Sequence, residues 1–301
     1  FPTKPGGRST NWQIAWVPTF LNSETETSAM PESPLIIARQ IGMSYGDASP
    51  SLANIDLSIG RGEFVSIVGP SGCGKSTLLK LIAGLRTATT GELTINGVAP
   101  EDSPTRAAFV FQEPNLLPWR TVAGNIRLPL ELDASNKSLA KAGSDVLIKE
   151  TIRRIGLVPE DASKRPAELS GGMRMRVSLA RALVTDPQIM LLDEPFAALD
   201  DILRQQLNEE LQQLWWDKRW TGLFVTHNVS EAVFLSQRVL VMSRSPGRIL
   251  ESIEVPFAFP RSPDLRAEPE FARLTGLVST HLRRAATGAG NTTTATAEGT
   301  A

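Results

Sequence analysis

The run Gly69-Pro70-Ser71-Gly72-Cys73-Gly74-Lys75-Ser76-Thr77 decides how this chain is read. It follows a short apolar, β-branched stretch, Phe64–Val68, and opens a segment with helical spacing, Lys75–Gly84. A glycine-rich turn between a strand and a helix, ending Gly-Lys-Ser, is built to hold a phosphate. Its glycines let the backbone wrap an anion without Cβ clashes, so successive N–H groups converge on it. The helix N-terminus adds partial positive charge beneath the same point. In that geometry Lys75 reaches the β- and γ-phosphates of a nucleotide, and the Ser76 hydroxyl is placed to ligate Mg²⁺. Cys73, inside the loop, reads as a small spacer.

Working outward, a second run completes the nucleotide site: Ile189-Met190-Leu191-Leu192-Asp193-Glu194. An apolar run ending in two acids is a buried parallel strand delivering carboxylates at its C-terminal edge, where α/β ligands bind. Asp193 can hold the magnesium shell. Glu194 can orient and deprotonate a water for attack on the γ-phosphate.

The rest of the composition sets limits. The chain has 301 residues, 31 Lys plus Arg against 32 Asp plus Glu, and a formal net charge of -1. That balance argues against nucleic-acid binding, which wants a basic excess. Hydrophobic residues make up 41% and charged ones 21%, as in an ordinary globular protein. Cys73 is the only cysteine, so no internal disulfide forms and a reducing compartment is expected. No apolar run approaches the roughly 20 residues of a membrane-spanning helix, and no secretory h-region follows the early Lys and Arg. Work at a membrane would go through a partner.

Strands are expected at Leu35–Ile41, Ile55–Ile59, Phe64–Val68, Ala107–Phe111, Ile189–Leu192, Leu223–Thr226 and Val239–Met242. Helical spacing marks Lys75–Gly84, Ser144–Ile155, Gly171–Val184, Ile202–Lys218 and Asn228–Ser236. Early strands cluster and later ones alternate with helices, so the expected class is α/β: a small antiparallel sheet leading into a parallel sheet flanked by helices. Residues 35–250 form this body, and about 113–168, without convincing strands, a helical insertion. Residues 251–285 form a C-terminal extension, with a helix expected at Pro269–Arg284. Residues 1–34, and the Thr/Ala/Gly tract from about Ala285 to Ala301, read as disordered tails.

Leu169-Ser170-Gly171-Gly172-Met173 then brings in a family: with it the chain resembles the ATP-binding cassette ATPases of ABC transporters. The resemblance spans roughly Leu35 to Ser245. Gln112 matches the family's Q-loop glutamine, Ala198-Leu199-Asp200 its D-loop, and His227 its switch histidine. Tyr45, the only tyrosine, lies where the family stacks an aromatic on adenine. Met173 departs from the family's usual glutamine, but Ser170, Gly171 and Gly172 retain the phosphate-contacting hydroxyl and amides.

The resemblance implies a P-loop NTPase with a RecA-like core, an N-terminal antiparallel β-subdomain and an α-helical subdomain. It implies ATP and Mg²⁺ as ligands, with Ser76, Gln112 and Asp193 at the metal. Tyr45, Gly69–Thr77, Ser170, Gly171, Gly172 and Asp200 would contact nucleotide, and Lys75, Gln112, Glu194 and His227 would act in catalysis. It further implies a homodimer in which the Ser170 segment of one copy closes on the ATP of the other. Separate permease subunits, an extracytoplasmic solute-binding protein and a peripheral position on the cytoplasmic face of the plasma membrane belong to the same picture. No nucleic-acid partner is expected.

After Gln112 comes Glu113-Pro-Asn-Leu-Leu-Pro-Trp119-Arg120. Leu116, Leu117 and Trp119 are expected as an exposed apolar patch that docks a permease. With Met173 and the Pro260–Arg284 segment, this string resembles the importer branch for nitrate, taurine and aliphatic sulfonates. Arg174, Arg176 and Arg181 are expected as a solvated or phosphate-facing stripe. The alternative reading is a cassette ATPase without a transport partner, regulatory or nucleic-acid associated. A DNA-associated cassette ATPase would carry a long coiled-coil insertion, a translation-associated one two phosphate loops, and a P-loop kinase would lack Ser170-Gly-Gly.

Overall fold

The computed structural model describes residues 34–46, 49–132 and 144–287. The expected tail at 1–34, apart from Pro34, and the tail beyond Thr287 lie outside them. Strands β1 (Ile36–Met43) and β2 (Leu52–Ile59) form an antiparallel hairpin, and β4 (Thr90–Ile95) pairs with the other side of β1. Strand β3 (Phe64–Val68) leads into the phosphate loop and helix α1 (Lys75–Ile82). Next come β5 (Ala107–Val110), α2 (Val122–Leu132), α3 (Ser144–Arg154), α4 (Gly171–Leu183) and β6 (Ile189–Asp193). Helix α5 (Asp201–Lys218), β7 (Thr221–Val225), α6 (Val229–Leu235) and β8 (Arg238–Met242) follow. Strand β9 (Ile249–Glu254) and helix α7 (Pro269–Thr287) complete the described chain.

The second sheet runs β5-β6-β7-β3-β8-β9, parallel except for β9 against β8. Strands β3 and β7 are buried along their whole length, as a sheet covered on both faces requires. Crossover connections put the C-terminal ends of β3, β5, β6 and β7 on one edge. The phosphate loop, Gln112, the Asp193–Glu194 pair and His227 therefore share that edge. One core lies between this sheet and helices α4, α5, α6 and α7, centred on Phe64, Trp215 and Phe224. A second packs α1 between the two sheets.

The helical insertion has a third core of its own. Ile126 of α2 and Ile148 and Ile152 of α3 pack there with Val177 and Ala180 of α4, so one face of α4 closes the insertion. Strands β4 and β9, both unexpected from the sequence, are edge strands with mostly exposed or half-buried residues. Such strands give little apolar signal. The first residues of the expected C-terminal tail are instead part of a helix. Ala285 is helical and buried against the first core, and α7 runs on to Thr287.

Candidate active site

Strand β3 ends at Val68 and the chain turns at Gly69 through a left-handed Gly72 (φ 75°) and Gly74 (φ 97°). Gly74 is demanded twice: its φ disfavours a side chain, and a Cβ would stand 2.5 Å from Leu52 Cδ2. Lys75, itself buried, folds back over the loop, where its Nζ donates to the carbonyls of Gly69 (2.9 Å) and Pro70 (3.1 Å). Ser71 and Pro70 complete the rim. Cys73 is buried, and burial pushes its thiol above the ordinary range, which suits an inert spacer. Tyr45, half-exposed just after β1, brings its hydroxyl 3.4 Å from Thr77 Oγ1, so an aromatic face stands beside the loop.

Three neighbouring strand ends complete the cluster. Ser76 donates to Asp193 Oδ1 at 2.9 Å. Burial raises the Asp193 carboxyl above its usual value, and the Ser76 hydroxyl partly offsets this. Glu194 adopts a left-handed backbone (φ 47°), a conformation that costs a non-glycine residue about 1–3 kcal/mol. It is held there because its N–H donates to Val225 O (3.0 Å) and its carbonyl accepts from Ala197 N (3.2 Å). The twist aims its carboxylate between Lys75 Nζ (3.9 Å) and His227 Nδ1 (3.3 Å). Strain of this kind collects where a side chain must be placed for chemistry.

Gln112 lies exposed beyond β5 on the same edge, with no side-chain hydrogen bond among the described residues. The segment after it is fixed by Arg181, expected instead in a solvated or phosphate-facing stripe, and by Asn125, which the sequence did not single out. Arg181 donates to the carbonyls of Pro114 (2.7 Å) and Asn115 (2.8 Å). Asn125, fully buried, accepts from Leu117 N (2.7 Å) and donates to the carbonyls of Leu117, Arg120 and Thr121. This frame presents Trp119 at 70% exposure. The expected patch is smaller than its sequence suggests, because Leu116 packs partly into the helical core and Leu117 is half-buried. Arg174 and Arg176 do not form a solvated stripe either: one donates to Leu169 O, the other pairs with Glu210.

Ser170, Gly171, Gly172 and Asp200 stand apart. Ser170 is exposed and caps α4 by accepting from Met173 N (3.2 Å). Asp200 caps α5 in the same way, accepting from Leu203 N (3.0 Å). The two helix starts abut: a Cβ on Gly172 would stand 2.6 Å from Leu203 Cδ2. Met173 turns its side chain toward the helical core. Among the described residues no hydrogen bond or ion pair joins this unit to Gly69–Thr77. The structure thus brings Tyr45, Lys75, Ser76, Thr77, Asp193, Glu194 and His227 together and leaves the signature facing outward. A cavity of about 550 Å³ opens instead at the opposite sheet edge, near Arg106, Trp220 and α3, and includes none of these residues.

Comparison with known proteins agrees with this geometry. Residues 52–197 match the family model described as ABC transporter. The aliphatic sulfonates import ATP-binding protein SsuB of Bacillus cereus is 43% identical over 214 residues, 70% of this chain and 81% of the relative. The bicarbonate transport ATP-binding protein CmpD of Synechocystis is 39% identical over 226 residues, 74% of this chain and 79% of the relative. A dimeric ATP-binding cassette solved in a post-hydrolysis state with ADP and Pi superposes with a TM-score of 0.65. That likeness is at 31% identity, covering 74% of this chain and 100% of that one. The chain belongs to the ABC transporter family, and is one of its ATP-binding, ATP-hydrolysing subunits.

Proposed function

We propose that this subunit drives import of a small anion, such as an aliphatic sulfonate, taurine or nitrate, through separate permease subunits at the cytoplasmic face of the plasma membrane. An extracytoplasmic binding protein would supply the solute. Relatives named for sulfonate and bicarbonate transport support the anion class. No helix among the described residues is long and apolar enough to cross a membrane; coupling in this reading passes through a docking surface. The observation that carries the reading is Trp119, 70% exposed on the frame held by Asn125 and Arg181 and seven residues beyond Gln112.

In the hydrolysis proposed here, Glu194 accepts the proton of the attacking water, and His227 and Lys75 flank its carboxylate to fix the direction of attack. Lys75 and the Gly69–Thr77 amides bind the phosphates, and Tyr45 stacks on the base. Mg²⁺ fits the site: Ser76 Oγ and Asp193 Oδ1 lie side by side at 2.9 Å and Gln112 offers an exposed amide, a set completed by nucleotide oxygens and water. When bound, it neutralises charge developing on the phosphates. Ser170, Gly171, Gly172 and Asp200 serve the nucleotide of a second copy, closing a two-fold dimer.

The test is association with a candidate permease of the same organism. Trp119→Ala should weaken it by about 2 kcal/mol, roughly thirtyfold, as truncation of a central aromatic anchor does. Solute uptake should fall with it, while ATP hydrolysis by the isolated subunit stays near its original rate. Unfolding of the variant, or loss of its basal hydrolysis, would place Trp119 in the body of the protein and remove the docking claim.

A further inference from the structure

Helix α6 is short, and His227 sits two residues before it, so the position of the histidine depends on how α6 is held. Its first turn is fixed locally. Asn228 caps it by accepting from Glu231 N (3.2 Å), and buried Glu231 accepts from Thr226 Oγ1. Arg204 reaches the same carboxylate (3.8 Å) while donating to Leu199 O (2.6 Å), which links α6 to the loop ahead of α5.

The other end of α6 is held by a residue from outside the nucleotide-binding motifs. Arg261, in the C-terminal extension between β9 and α7, is only 5% exposed and has no acidic partner among the described residues. Its Nη1 donates to Val233 O (2.7 Å), Phe234 O (2.8 Å) and Ser236 O (3.0 Å), the carbonyls that α6 leaves open at its C-terminus. A cation at that end also complements the helix dipole. Its Nε and Nη2 donate to Phe257 O, and the guanidinium lies 3.8 Å over the Phe259 ring. Its backbone, meanwhile, exchanges two hydrogen bonds with the side chain of Gln212 on α5. Burial lowers the guanidinium to about 9, so it stays charged at neutral pH. One residue thus holds the C-terminal end of α6, the helix that follows His227, and is tied through Gln212 to the second half of α5, the helix that Asp200 caps.

We infer that Arg261 is a positioning residue for hydrolysis, and that through it the C-terminal extension sets the place of His227 relative to Glu194. Five directed donors in a rigid fork serve three helix-end carbonyls and Phe257 together. A lysine ammonium offers three donors at one point and cannot span them, so α6 gains freedom at its C-terminal end and the histidine moves with it. The proposal rests on the catalytic reading of His227, and the experiment separates the two.

The full chain is compared as Arg261→Lys, His227→Ala and the double variant, by thermal melting and by steady-state ATPase. Arg261→Lys should melt cooperatively, keep its KM for ATP within about twofold, and lose about tenfold in kcat, part of the usual general acid–base contribution. In the His227→Ala background the same change should cost nothing further, because two residues acting as a unit are not additive. A folded Arg261→Lys with the original kcat would overturn the proposal. So would an equal loss in both backgrounds, which marks a merely structural residue. If His227→Ala alone hydrolyses at the original rate, the reading of the histidine falls instead, and an Arg261→Lys loss in that protein rejects the positioning route as well. Should Arg261→Lys not fold, Phe259→Leu, which loosens the guanidinium without removing it, is read by the same cycle and the same two outcomes.

Discussion

The phosphate loop and the Ser170 segment, the two halves of the proposed nucleotide site, are built in opposite ways. Around the phosphate loop the polar groups bind one another: Lys75 with the loop carbonyls and Glu194, Ser76 with Asp193, Glu194 with His227. Around the signature, Ser170 and Asp200 are exposed and spend their oxygens on capping their own helices. An inward-facing cluster can assemble within one copy. The exposed Ser170 hydroxyl and the Gly171 and Gly172 amides at the start of α4 suit an anion brought by another body. The difference teaches that substitutions in the two halves should separate by what they spare.

The largest effect belongs to the inward half. Glu194→Gln keeps size and hydrogen bonding but cannot accept the proton, so hydrolysis should fall by at least about a hundredfold. ATP affinity should persist, and size-exclusion chromatography with ATP should show a trapped dimer. Hydrolysis near the original rate would reject Glu194 as the base and blur the contrast between the halves.

A smaller effect is expected in the outward half. Gly172→Val drives a side chain into Leu203, where even a Cβ would stand 2.6 Å from its Cδ2. Overpacking of that kind costs about 1–3 kcal/mol, a few degrees of melting temperature. Hydrolysis should drop because α4 is displaced from α5, while nucleotide affinity of the single copy stays as it was. Weakened binding in a single copy would mean that the signature contacts the loop of its own chain.

The same contrast explains what could be read ahead of the structure. Gly69–Thr77 and Asp193–Glu194 were legible because each is a short contiguous run at a strand end that a parallel sheet gathers on one edge, and Ser170–Gly172 and His227 through the family resemblance. The spiral of Glu194 was not legible, since nothing in Asp-Glu-Pro declares a left-handed acid. Arg181 and Arg261 act on backbone carbonyls far away in sequence and Asn125 on nearby ones, and a carbonyl leaves no signature in a side-chain pattern. Strands β4 and β9 stayed hidden because edge strands carry polar residues on both faces. The arginines of α4, expected as a solvated or phosphate-facing stripe, are half-buried and bonded to Leu169, Glu210 and Pro114.

The central claim, that the signature of one copy completes the site of another, is tested most directly by ATPase assays of Ser170→Arg, alone and mixed with Lys75→Ala. Each variant alone should be inactive, because every site in its dimer carries one lesion. Mixing makes heterodimers in which one site holds both lesions and the other none, so activity should return in the mixture. Hydrolysis at the original rate by Ser170→Arg alone would contradict the shared site outright.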